Sequence, residues 1–136
     1  MKLLLDTHIL LWALADAPQL PDKAHKLLEN EGNEVYYSLA SIWEIQMKYL
    51  AHPDRMDFNG EQVADYCRES GFSAAPVREE HIFYLKNLKR PETAPAHKDP
   101  LDKIMVCQAA VENMLFITHD RLIPDFEPTA EMCGDN

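Results

Sequence analysis

The amino-acid sequence predicts an α/β fold built on a parallel sheet, and three observations carry that prediction. The chain has 136 residues, one domain's length and enough to bury a single core. Its short apolar runs, Leu3-Leu4-Leu5, Val35-Tyr36-Tyr37 and Leu115-Phe116-Ile117-Thr118, do not alternate with polar residues, as expected of strands covered on both faces. Stretches of helical period lie between them, and strands that alternate with helices indicate a parallel sheet.

Taken in order, the first strand covers residues 3–5 and stops abruptly at Asp6. A helical pattern follows from Ile9 to Leu14, then a break between Pro18 and Pro21. Asp22 is placed to cap a second helix through Asn30, with Gly32 as its stop. The second strand is 35–37. In the next helix Ser41 is the expected cap, and Leu39, Ile42, Trp43, Met47 and Leu50 recur at spacings of three and four as one apolar stripe facing the core. A helix over 60–70 ends at Gly71, a short third strand lies within 72–77, and another helix spans 78–88. Residues 89–100, with Pro91, Pro95 and Pro100, form an extended loop. From Leu101 to Asn113 the chain is apolar nearly all round, which predicts a core helix with Pro100 at its start. The last strand is 115–118. The acidic tail from 125 is expected to be weakly ordered or a short edge strand.

The charge is unusual. Against 13 Lys and Arg stand 23 Asp and Glu, a formal net of -10, which repels a polyanion at long range. The three cysteines, at 67, 107 and 133, offer neither a disulfide framework nor a CxxC pair, which points to a reducing compartment, the cytoplasm. Cys107, in an apolar helix, is expected to be a buried small hydrophobe. No apolar stretch approaches the roughly 18 residues of a membrane span, and Asp6 and His8 interrupt the N-terminal run that imitates a signal peptide.

In open parallel sheets the ligand crevice lies beyond the carboxyl ends of the strands. Asp6 and Asp120 follow two such ends, Asp102 sits in the first turn of the helix that feeds the last strand, and Glu44 follows strand two on its helix. At about 100° per residue, Glu44 falls at the boundary of the Leu39-Trp43-Leu50 stripe. Each acid also has a plainer role. Asp6 suits a helix cap, Asp102 a helix dipole, Glu44 a solvated helix face, and Asp120 a turn or a surface ion pair with Arg121. Convergence separates the two readings, because clustered carboxylates raise one another's pKa unless a cation neutralises them. Several carboxylates with no thiol nearby specify a hard divalent ion, Mg2+ or Mn2+. Such an ion activates water for phosphodiester cleavage.

Four segments in order, Leu3-Leu4-Leu5-Asp6-Thr7-His8, Ser41-Ile42-Trp43-Glu44-Ile45, His97-Lys98-Asp99-Pro100-Leu101-Asp102-Lys103 and Ile117-Thr118-His119-Asp120, resemble the signatures of PIN-domain ribonucleases, above all the VapC-like toxins of bacterial type II toxin-antitoxin systems. The resemblance implies a three-layer α/β/α sandwich over residues 1–124, with 125–136 as a tail. It also implies Mg2+- or Mn2+-dependent endoribonuclease activity, a cognate antitoxin whose C-terminal segment fills the active-site groove, and a homodimer. By position, Asp6, Glu44, Asp102 and Asp120 match the catalytic and metal-binding acids. Thr118 matches a residue that supports the last acid through its hydroxyl, and Asp99 an outer or alternate ligand. Three features depart from the pattern: a longer Pro-rich stretch at 91–95, Arg121 where a further acid is frequent, and the acidic tail.

His97, Lys98, Lys103 and Arg90 are candidate RNA contacts, since Lys86, Lys89, Arg90, Lys98 and Lys103 place five of the 13 basic residues within eighteen positions; the same charges also suit a solvated loop. For His8 and His119, a structural hydrogen bond is expected rather than metal ligation. Trp12, Trp43 and Tyr49 suit either base stacking or packing, and periodicity favours packing for Trp43. An aspartyl phosphotransferase fits less well, because His8 stands where a second acid belongs. The non-enzymatic alternative is an inactive PIN-like module that binds protein.

Overall fold

A computed structural model describes residues 1–88 and 99–119, together with the backbone of 130–132. Five strands form one parallel sheet: β1 (Lys2–Leu5), β2 (Glu34–Ser38), β3 (Ser73–Ala75), β4 (Leu115–Thr118) and β5 (Ala130–Met132), in the order β3-β2-β1-β4-β5. Six α-helices connect and cover them among the described residues: α1 (Thr7–Leu14), α2 (Asp22–Glu29), α3 (Leu39–Ala51), α4 (Gly60–Glu69), α5 (Glu79–Tyr84) and α6 (Pro100–Glu112).

The pleat divides the core. Leu3 and Leu5 point to one face with Tyr37 and Ile117, where Ile9, Leu10, Ala24, Ile45, Val63 and Cys67 cover them. Leu4 and Phe116 point to the other, against Met105, Val106 and Ala109 of α6. Successive side chains of a strand face opposite ways, so one unbroken Leu run supplies two cores and the molecule is an α/β/α sandwich. Burial drives Cys67's thiol up to about 12, and Cys107 is buried as expected.

Several boundaries differ from the sequence reading. Asp22 is the first residue of α2, after an N-cap at Pro21. Ser38, rather than Ser41, caps α3, its hydroxyl accepting from the Ala40 N–H at 3.0 Å. The same hydroxyl donates to Gln108 Oε1 at 2.6 Å, and Gln108 Nε2 donates to the carbonyls of Ala75 and Pro76. One buried amide thus ties the ends of β2 and β3 to α6. Of the 89–100 loop, only Asp99 and Pro100 are among the described residues, and there Pro100 opens α6 behind its cap Asp99. Asn113 ends α6 in the left-handed region at φ 57°, a conformation Asn tolerates.

The α3 stripe is the largest correction. Trp43 is 60% exposed and Leu50 71%, with Leu39 and Met47 also exposed, while Ala40, Ser41 and Ile45 are buried. The reason is size. Ala40 and Ser41 let the helix come close to its neighbours, so α3 turns its small residues inward. Ile45, about 200° round from Trp43 at about 100° per residue, belongs to the inward face; of the stripe, Ile42 stays half-buried against the core and Leu39, Trp43, Met47 and Leu50 are left outside.

Candidate active site at the carboxyl ends of the strands

In the strand order, β1 stands between β2 and β4, so the chain leaves β1 toward one edge and returns to its other side. Such a switch point opens a crevice at the carboxyl ends. Asp6 occupies it. β1 and β4 run in register, Leu5 beside Ile117, and the Asp6 N–H donates to the Ile117 carbonyl at 3.0 Å. Both carboxylate oxygens of Asp6 are engaged: Oδ1 accepts from the Ile9 N–H at 2.9 Å, capping α1, and Oδ2 accepts from the Thr118 hydroxyl at 2.6 Å. The His119 N–H donates to the same carboxylate. The plain role as a cap is therefore filled, but by one oxygen only. Thr118, expected to support the last acid, donates to the first one.

Asp6 is 4% exposed, and burial raises its pKa above the ordinary 3.8 although these donors and the nearby His8 lower it. Hydrogen bonds stabilise a carboxylate but do not cancel its charge. Among the described residues no ion pair to Asp6 is formed.

Glu44 is joined to this centre through Thr7. The Thr7 hydroxyl donates to Glu44 Oε1 at 2.7 Å and lies 2.9 Å from Ser41 Oγ. A hydroxyl has one proton, and the carboxylate is the stronger acceptor; Ser41 is then the donor to Thr7, and Met105 Sδ, 3.3 Å from Ser41 Oγ, is its alternative acceptor. Lys48, one turn along α3, holds Glu44 Oε2 at 2.8 Å. Glu44 is mostly covered, at the boundary between the inward and outward faces of its helix.

Asp102 lies in the first turn of α6, half-buried, three residues before Met105 and so on the same helix face. Asp99 accepts from the Leu101 N–H at 3.0 Å as the cap of α6, and Lys103 is half-buried beside it. Among the described residues no three His, Cys, Asp or Glu side chains stand together as a metal-binding group. Asp120, His97, Lys98 and Arg90 lie outside the described residues.

Side chains whose grouping the sequence did not reveal adjoin Asp6. The rings of His8, Trp12 and His119 form one cluster, with centroids 5.7 Å apart for His8–Trp12, 5.0 Å for Trp12–His119 and 6.4 Å for His8–His119. The spacing of His8 and Trp12 at i,i+4 signals half of it. Only the register of β1 against β4 brings His119 to them.

A parallel sheet with a buried acid at its switch point defines a class of α/β site, and comparison with known proteins makes it particular. The family model of the PIN domain matches residues 3–127, and the chain belongs to that family. In fold it resembles VapBC2 from Rickettsia felis, solved bound to a promoter DNA fragment (19% identity, TM-score 0.65, covering 97% of this chain and 98% of that one). It also resembles VapBC-1 from nontypeable Haemophilus influenzae (16%, 0.61, 99% and 100%) and a toxin-antitoxin complex from Klebsiella pneumoniae (16%, 0.59, 95% and 95%). No curated protein matches the chain by sequence.

Proposed function

We propose that this protein is a metal-dependent endoribonuclease and the toxin of a toxin-antitoxin pair, with residues 1–124 as the nuclease unit. The observation that carries the proposal is Asp6: a carboxylate buried at the switch point of a PIN-domain chain, its pKa raised by that burial despite the hydrogen bonds it accepts and the nearby His8. Burial of such a group is costly, and a divalent cation is the partner its chemistry fits.

The donor set is all oxygen, as Mg2+ or Mn2+ requires. Asp6, Glu44, Asp102 and Asp120 would hold the ion, which when bound supplies an activated water for phosphodiester hydrolysis. The chain's own part is orientation. Ile9, Thr118 and His119 fix the Asp6 carboxylate from three sides, while Thr7 and Lys48 fix that of Glu44. Asp99 sets the start of α6 and with it the position of Asp102, and Lys103, with Arg90, His97 and Lys98, would meet RNA phosphates.

Two apolar surfaces suit the expected partners. A groove of about 550 Å³ is lined by Leu11, Trp12 and Leu14 of α1 and by Met56, Phe58 and Tyr66. It shares Trp12 with the Asp6 rim, so a segment of an antitoxin seated there would reach the site. The second, of about 670 Å³, lies between the outer face of α3 and α5, with Trp43, Met47, Ile82 and Leu85 on its walls, and suits a second copy of the chain. No helix among the described residues is long and apolar enough to cross a membrane, and RNA as substrate together with buried free thiols suits the cytoplasm.

Purified protein is expected to cleave RNA with Mg2+ or Mn2+, and to lose activity both in chelator and as Asp6→Asn. Cleavage that survives both tests overturns the proposal. A chain that neither cleaves RNA nor binds Mn2+ at millimolar concentration by calorimetry is instead the inactive protein-binding module.

A further inference from the structure

We infer that His8, Trp12 and His119 form a nucleobase-stacking platform beside Asp6, which selects the base next to the scissile phosphate. The inference rests on the nuclease reading and adds to it a determinant of substrate choice.

The topology builds the platform from two directions. The first turn of α1 begins immediately after Asp6, so His8 emerges at the strand end, and Trp12 follows one turn along the same helix face. His119 arrives from β4, whose register places it beside Asp6, where its own N–H is bonded. His8 and His119 therefore lie beside the acid, and Trp12 joins them through its contacts with both rings.

Trp12 meets His119 edge to face at an interplanar angle of 72°, and His8 meets His119 at 70°. In such a contact the ring that presents its edge keeps both faces clear of its partner. His8 and His119 are exposed, while Trp12 is half-buried and packs against the core on α1's side of the sheet. Three rings held only for packing would be covered together. Here one anchors the cluster and the other two stay exposed.

Charge explains why stacking is needed. With a net of -10, the chain gains little from the phosphate attraction that dominates most nucleic-acid binding. Base stacking on aromatic rings does not depend on net charge, and truncating such a ring weakens binding roughly 5- to 150-fold.

The full-length protein is titrated in chelator with single-stranded RNA carrying 2-aminopurine at successive positions. Wild type is expected to quench the fluorophore at one position, with binding weakened roughly 5- to 150-fold in His8→Ala/His119→Ala and in Trp12→Leu, and largely restored in Trp12→Phe. With Mn2+, the double variant is expected to raise KM and to lose preference for the base at the cut. Should Trp12→Leu not fold, the exposed histidine pair decides. Unchanged quenching, affinity and base preference in a folded double variant overturn the platform and leave the nuclease standing. A wild type that neither binds nor cleaves RNA overturns both.

Discussion

Asp6 joins a structural role in the fold to the catalytic role proposed for it. Its Oδ1 closes the first turn of α1 and its Oδ2 is held by Thr118, yet the charge between them is buried. In the unfolded chain the group titrates near the ordinary 3.8, whereas burial raises it in the folded chain. The folded state therefore holds the proton more tightly. The stability this contributes is full below the unfolded value and is lost as pH rises through the raised folded value. Without metal, Asp6→Asn is thus expected to melt a few degrees higher than wild type at neutral pH, because Asn keeps an acceptor for Ile9 and Thr118 can turn its hydroxyl to meet the amide. The difference should vanish below about pH 3.8. Adding Mn2+ is expected to reverse the order at neutral pH, since a ligand that binds the folded state alone stabilises it by about 2.7 kcal/mol at a hundredfold excess over Kd. Thermal melts of both proteins across pH, with and without Mn2+, check all three statements. A wild type more stable than Asp6→Asn in chelator at pH 7 would show that the carboxylate is already compensated.

Among the elements, α3 best shows what the sequence could reveal and what it could not. The parallel strands were legible, because runs such as Leu3-Leu4-Leu5 have no polar side to expose, and so were α4's stop at Gly71, φ 83°, and Pro100 at the head of α6. The inward face of α3 was not, because periodicity finds the largest apolar stripe and cannot tell a core from an interface. Small residues decided it: Ala40 and Ser41 permit an approach that Trp43 and Leu50 would block. Asp6 at the end of β1 was legible, but its wiring was not, since Thr118 turning to Asp6 and Thr7 to Glu44 depends on register between distant strands and helices. The same close approach governs α4. Gly60 donates its N–H to Gln46 Oε1 at 2.9 Å, and a Cβ there would lie 3.0 Å from the Ile42 carbonyl oxygen and 3.1 Å from Gln46 Cβ. Backbone cannot yield as a side-chain tip does, so Gly60→Ala is expected to lose about 1–3 kcal/mol in chemical denaturation, despite alanine's better helix propensity. An unchanged midpoint would mean that α3 and α4 separate freely.

For the whole molecule, the misplaced stripe and the net charge bear on the same question. Leu39, Trp43, Met47 and Leu50 continue across a groove to Val77, Ile82 and Leu85, a connected apolar surface of the kind that marks an interaction site. Two copies of a chain with a net of -10 repel at long range, so their association must come from buried apolar area, about 800 Å² per partner in an ordinary stable interface. That combination fixes a sign. Salt screens the repulsion, with a Debye length near 10 Å at 0.1 M and about 3 Å at 1 M, and leaves apolar burial intact, so dimerisation should tighten as NaCl rises. An interface held by ion pairs would weaken instead. Trp43→Arg places a charge at the centre of the face and is expected to give a monomer in sedimentation equilibrium. Its melting temperature should match that of the wild-type chain diluted to monomer, because a side chain 60% exposed in the single chain contributes little to its core. A wild type that sediments as a monomer at tens of micromolar in high salt would assign this face to a different protein, and the antitoxin would be the first to test there.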